Sequence, residues 1–381
     1  MQQKIVVKNI IMKEIRKVIV VICLLGCING FAQSGRWSEE RASQWYQATG
    51  WLNGFNYIPS DAINYTAMWD KTSFNPRLID KELALAEALG FNCARVVLQY
   101  AVYADDPRYF LKTLDKFLSI CQKHGIRVMP CFFDDCAFGV NTDPVTGKQP
   151  EPLKGWYAWA WSPSPGHTMV VDPRYHPLLE KYVKDVISKF RNDQRVLLWD
   201  LYNEPTNSSG LGFRSLPLLK SVFAWAREIN PVQPLTVGFW DSNFKELNDI
   251  LAENSDIISY HCYGNKKDMQ EKISNLRQYN RPLICSEWMN RPLLSTVADI
   301  MPLLKDENVG GMLWGLVNGK TQTDLPWGFR PEKLPYTGEW QHDLFRPDFT
   351  PYDANEIAII KSLNGDKITD ASAPSNRHAP N

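Results

Sequence analysis

The chain has 381 residues, is 44% hydrophobic and 12% aromatic, and balances 42 Lys+Arg against 42 Asp+Glu. Zero formal net charge supplies neither a basic footprint for nucleic acid nor a polybasic surface for a membrane. Fourteen tryptophans are more than a core requires and lean toward a cleft lined with aromatic faces.

Residues 1–32 read as an export signal: Lys8, Lys13, Arg16 and Lys17 precede the apolar run Val18–Gly26, and Gly30-Phe-Ala32 offers a small-x-small cleavage site before Gln33. Leu24-Leu-Gly-Cys27 also resembles the box before a lipidated cysteine, so anchoring through Cys27 is the alternative to simple cleavage. No later apolar run approaches the ~20 residues that span a bilayer. From Gln33 onward, strand-like and helix-like stretches alternate. A lead-in helix (37–49) is followed by a first strand over 52–58. Then come helix 76–89, stopped by Gly90, and strand 91–98. A helix opened by Asp106-Pro107 runs to His124-Gly125, and strand 126–133 ends in Asp134-Asp135. An aromatic-rich insertion, 136–176, is too long for a plain connection and reads as a packed functional loop.

Helix 178–192 feeds the stretch Arg195-Val-Leu-Leu-Trp-Asp-Leu-Tyr-Asn-Glu-Pro205, apolar at first and stopped by Pro205. Helices over 217–229, 243–252, 269–279, 297–304 and 352–363 alternate with strands over 234–240, 256–263, 282–288 and 309–316. Eight strands alternating with helices predict an α/β chain folded as a single (β/α)8 TIM barrel, 33–363, with long loops at the C-terminal face of its strands. A polar tail, 364–381, is expected to fray. Six cysteines follow the signal, with no CxxC spacing, and no His-x-His ends the first strand. Neither a metal nor a cofactor is therefore expected. Cys131 and Cys136 are close enough for a loop disulfide.

Strand ends at the C-terminal face of such a barrel carry the chemistry. Here they offer Asn56, Arg95, Asp134, Asp135, Asn203, Glu204, His261, Tyr263, Glu287 and Trp314. Glu204 and Glu287 end strands four and seven, about three βα units apart at roughly 30 residues each, so their side chains converge across the barrel mouth. Trp199-Asp-Leu-Tyr-Asn-Glu-Pro205 and Cys285-Ser-Glu-Trp288 resemble the acid/base and nucleophile motifs of clan A glycoside hydrolases, closest to the cellulase-like family 5. The resemblance extends over nearly the whole chain after the signal. It departs from that family where Asp134-Asp135 replaces a usual His and where Trp288-Met289 replaces Phe-Gly.

The resemblance implies a retaining hydrolase of β-linked oligo- or polysaccharides of the cellulase, mannanase or xylanase kind. Glu204 would be general acid/base and Glu287 nucleophile. Asn203 would bind the sugar 2-hydroxyl, Arg95 and Tyr263 would orient and charge-balance Glu287, His261 would line the site, and Trp314 would form the sugar platform. Retention needs the two carboxyls about 5–5.5 Å apart. Arg95 would keep Glu287 charged, while burial and the neighbouring charge would raise the pKa of Glu204. Each helper has a structural rival: Arg95 as a core ion-pair partner, His261 as a satisfied buried ring, Trp314 as a plug of the barrel end. Asp134 and Asp135 leave three readings open: sugar contact, a calcium site in the following loop, or solvation. The alternative from another class is a non-catalytic glycan-binding barrel.

Overall fold

The computed structural model describes residues 35–365, apart from 140 and 209. The expected export signal with Cys27, and residues 366–381 of the expected tail, lie outside the described residues. Eight strands form one sheet: β1 (Asn53–Asn56), β2 (Cys93–Val97), β3 (Arg127–Asp134), β4 (Trp199–Asn203), β5 (Leu235–Thr236), β6 (Ile258–His261), β7 (Leu283–Trp288) and β8 (Gly310–Trp314). All pairings are parallel, in the order β5-β4-β3-β2-β1-β8-β7-β6. With helices between the strands this is the expected (β/α)8 barrel.

Local chemistry sets the helix starts. Asn75 caps the helix Pro76–Ala88 by accepting from the Leu78 N–H, and Asp106 caps Pro107–Lys123 by accepting from Arg108 and Tyr109. In both, proline occupies the first turn, where a missing N–H costs nothing. Two short helices, Tyr65–Trp69 and Tyr100–Asp105, fall where only connections were expected. Each is capped by a side chain, Asn64 on Ala67 and Gln99 on Ala101. Asn364, expected to open the frayed tail, instead ends the last helix, Ala354–Asn364, and binds both Asn53 and the Leu89 carbonyl.

The seam between β5 and β6 is thin. A strand expected over 234–240 pairs as a strand only at Leu235–Thr236. Beyond it, Phe239 makes a single parallel bridge to Tyr260. The Thr236 hydroxyl supplements this by donating to the Ile257 carbonyl at 2.7 Å and meeting the Ser259 hydroxyl at 2.8 Å.

At the opposite, N-terminal end, Leu52, Met129, Leu197, Leu198, Ile257, Ile284 and Met312 form an apolar plug with Ala42 and Tyr46 of the leading helix Glu39–Thr49. The plug closes that end and leaves the carboxyl ends of the strands as the functional face. Register then aligns the polar strand ends on one level: Asn56 with Arg95 and with Trp314, Asp134 with Asn203, and His261 with Glu287. No helix among the described residues is long and apolar enough to cross a membrane.

The loop after β7 is locked to the last helix by Arg291, 2% exposed, which makes a two-pronged pair with Glu356 at 2.8 and 2.7 Å. The same guanidinium donates to the carbonyls of Trp340, His342 and Asp343. Arg291→Met strands a buried carboxylate and is expected to cost about 3–5 kcal/mol, read by denaturant unfolding. Adding Glu356→Leu should recover much of that loss, and equal stability of Arg291→Met and the parent would refute the assignment.

Candidate active site

Arg95, midway along β2, stands at the centre and is 2% exposed. Its Nε donates to Asp200 at 2.8 Å, one terminal nitrogen to Asn56 (2.9 Å) and Glu287 (2.6 Å), and the other to Asn203 (2.7 Å). Burial pulls its pKa down, but the opposed charges of Asp200 and Glu287 hold it well above the usual guanidinium value. Glu287 receives a second donor from the Tyr263 hydroxyl at 2.6 Å. Burial, then the Glu287 and Glu204 charges, push that phenol well above its ordinary range, so it remains a donor.

Glu204 follows β4 directly and has φ +40°, with Thr206 at +79°. This left-handed backbone makes a tight turn in which the Asn207 N–H returns to the Glu204 carbonyl at 2.9 Å. The Asn207 side chain thereby reaches Glu204 Oε2, and the Cys136 thiol donates to the same oxygen at 3.4 Å. On the other side, His261 Nδ1 lies 2.6 Å from Glu204 Oε1 and 3.5 Å from Glu287 Oε2. His261 Nε2 is buried without a partner. Of the two neutral tautomers, the one with its hydrogen on Nδ1 therefore fits, because an unpaired lone pair is less costly than an unpaired N–H. One oxygen of Glu204 and one of Glu287 lie within 4.8 Å of each other.

The expected upward shift of Glu204 is reversed. Burial does push it up, but the His261 hydrogen bond, the charge that ring carries when protonated, and the Asn207 and Cys136 hydrogen bonds hold the carboxyl below its ordinary value. Asp134 and Asp135 also need correcting as substrate contacts. Both are fully buried and absent from the cavity wall. Asp134 accepts from Asn203 (2.8 Å), the Trp161 indole (2.8 Å) and the Cys136 N–H (2.9 Å). Asp135 accepts from the Tyr202 hydroxyl (2.7 Å) and the Thr206 N–H (2.8 Å). Their oxygens are spent positioning Asn203 and the Glu204 turn. Burial lifts the Asp134 carboxyl to about 6. All six cysteines among the described residues are free, so the loop disulfide Cys131–Cys136 does not form.

Above the pair opens a cavity of about 510 Å³, within the range of small-molecule sites. Arg95, Asn203, Glu204, His261, Tyr263, Glu287 and Trp314 line it, as do residues the sequence did not mark for the site: Tyr65, Cys136, Phe138, Tyr157, Asn207 and Trp240. Of the loop tryptophans, Trp156, Trp161 and Trp327 reach the cavity, whereas Trp340 stacks on Tyr352 with centroids 4.7 Å apart. Trp314 is backed by the ring of His342, 5.7 Å away and within 25° of parallel. Burial drives that imidazole down to about 3, so it stacks as a neutral ring. The chain turns just after Trp314 at Gly315 (φ +83°), where a Cβ would lie 2.1 Å from an Asp343 oxygen.

Glu204, His261 and Glu287 are close enough to share a cation. The donors already aimed at the carboxylates, above all the Arg95 guanidinium 2.6 Å from Glu287, oppose one. The cluster is better suited to moving a proton and presenting a carboxylate.

The family model "Cellulase (glycosyl hydrolase family 5)" matches residues 61–318. A curated mannan endo-1,4-beta-mannosidase 2 of Oryza sativa subsp. japonica is 26% identical over 147 residues, 35% of this chain and 30% of that protein. The chain thus spans under a third of that relative's length. Among solved structures, GH5_18 from Streptomyces cattleya, in complex with GlcNAc, is 15% identical with TM-score 0.59, covering 85% of this chain and 82% of that one. The exo-beta-1,4-mannosidase Op5Man5 of Opitutaceae bacterium strain TAV5 is 16% identical with TM-score 0.57, covering 82% and 59%.

Removing the leading donor to Glu204 should release its carboxyl upward. In His261→Ala, ¹³C NMR of labelled glutamate carboxyls is expected to show Glu204 titrating at higher pH than in the parent. An unchanged or lowered midpoint would show that His261 does not govern it.

Proposed function

We propose that this chain, which belongs to glycosyl hydrolase family 5, is a retaining glycosidase acting on β-linked glycans, with Glu287 as nucleophile and Glu204 as acid/base. The observation that carries the reading is the approach of the two carboxylates, within 4.8 Å oxygen to oxygen. Inversion would need about 6.5–9.5 Å between carboxyls to admit a water, whereas retention uses about 5–5.5 Å.

Glu287 attacks the anomeric carbon as Glu204 passes its proton to the departing oxygen, breaking the glycosidic bond and leaving a covalent glycosyl ester. Water, deprotonated by Glu204, then attacks the same carbon and frees Glu287. Arg95 and Tyr263 hold one oxygen each of Glu287, so the attacking lone pairs are aimed before substrate arrives. Asn203 spends its carbonyl on Arg95 and one N–H on Asp134, and its amide nitrogen also lies 3.6 Å from the Cys136 sulfur, a weak acceptor that a sugar 2-hydroxyl can replace. Trp314, stiffened by His342, offers an apolar face to the pyranose ring. A binding-only barrel would gain nothing from two carboxylates so close. Because the relative and the neighbour whose names state an activity are β-mannosidases, β-1,4-mannosides are the first substrates to assay. The first 32 residues remain our reading of an export signal.

Glu287→Ala should lose roughly 10⁵-fold or more in kcat, with azide restoring turnover on substrates with good leaving groups as a glycosyl azide of inverted, α configuration, because azide then displaces the leaving group in a single step. Glu204→Ala should lose about 10²–10⁴-fold on sugars and far less on substrates with acidic phenol leaving groups. Parent-like hydrolysis by Glu287→Ala would overturn the proposal.

A further inference from the structure

Three connections that leave the top of the barrel are fastened into one wall on a single side of the cavity. The loop after β3 is bound to the loop after β8: the Ala158 N–H donates to the Thr321 carbonyl at 2.9 Å. The Gln322 side chain spans both, accepting from the Gly155 N–H (3.0 Å) and donating to the carbonyls of Leu153 (2.8 Å) and Trp156 (3.2 Å). A Cβ on Gly155 would lie 3.1 Å from Leu334 and from Pro331, so the two loops also pack closely. The same β3 loop is tied to the connection after β1. Asn64 donates to Gln149 (3.0 Å) and the Ala160 carbonyl (2.9 Å), and Thr66 meets Ser162 at 3.0 Å. The circuit closes where the Lys320 N–H donates to the Ser60 carbonyl. Inside this wall, Tyr65, Trp161 and Trp314 stand in contact, with centroids 5.0 and 5.8 Å apart.

The chemistry orients a substrate against that wall. The departing oxygen lies beside Glu204 at the end of β4, so the leaving group exits past Asn207 and Trp240. The sugar attacked by Glu287 lies over Trp314, with its far end toward the wall formed by the connections after β1, β3 and β8. From this geometry we infer that the enzyme is exo-acting: the closed side of the cavity admits one terminal, non-reducing sugar, and the remainder of the glycan leaves across Trp240. This rests on the hydrolase reading and deepens it. Trp240 suits the second part of that role. Its indole is pinned to the Pro205 carbonyl at 3.0 Å, on the loop carrying Glu204, and it begins an aromatic row through Phe244 to the exposed Phe213.

The test uses β-1,4-linked mannooligosaccharides of four to six sugars whose reducing ends carry a label, with glucan, xylan and galactan oligosaccharides run in parallel. The first unlabelled product is expected to be the free monosaccharide, the label staying on a chain one sugar shorter. An unlabelled disaccharide or longer fragment at first turnover overturns the inference while leaving the hydrolase standing. Failure to hydrolyse any of these removes the hydrolase reading and the inference together. Gln322→Ala loosens the wall without touching the glutamates, and should raise the ratio of internal to terminal cleavages at least tenfold. A ratio that does not move would show that the wall does not set the mode of attack.

Discussion

A single cation buried in the barrel organises everything above it. Arg95 has lost its water, and a guanidinium so placed is tolerable only when its donors are all matched and its charge is opposed. Asp200, one layer deeper, supplies the structural counter-charge. That leaves the outward nitrogens for Asn56, Asn203 and Glu287, so three strands that are not adjacent in the sheet, β1, β4 and β7, send polar groups to one planar fork. Arg95 thus pairs with Asp200 in the core and with Glu287 at the cavity, in different directions along the same side chain.

The glutamate pair then acquires its asymmetry from unequal company. Glu287 is met by a permanent cation and a phenol that stays protonated. Glu204 is met by a ring, an amide and a thiol, none of which carries a permanent charge. Under the proposed mechanism, in which Glu204 both gives and takes a proton, such partners serve it better than a fixed charge.

The barrel and its two glutamates were legible because buried parallel strands announce themselves as apolar runs, and the switch from Leu201 to Asn203-Glu204, or from Ile284 to Glu287, marks where each strand meets the cavity. Asn207 had a local signal: Asn-Glu-Pro-Thr-Asn is turn chemistry, and a turn brings a residue three along back onto Glu204. Cys136 and His342 had none. Each reaches the site through the fold of a long loop, and their chemistry depends on contacts 68 and 28 residues away. Asp134 and Asp135 misled for the opposite reason. They stand where a strand ends, yet the β3 loop folds back over them, with Ser164 pairing to Asp134, and turns them inward. The Glu204 shift was missed because its direction depends on counting donors, and two of the three come from other parts of the chain.

The thin seam beside Trp240 gives the molecule a preferred place to breathe. Every other pair of adjacent strands is laced by a ladder, while β5 and β6 share one bridge, two hydroxyls and, just ahead of β6, the bonds between Leu235 and Asp256. Local opening follows the weakest cohesion in a structure, which makes this seam the place where the barrel would part first. The opposite flank is cross-linked between the connections after β1, β3 and β8. The cylinder is thus unevenly braced, tight on the Trp314 side and slack beside Trp240.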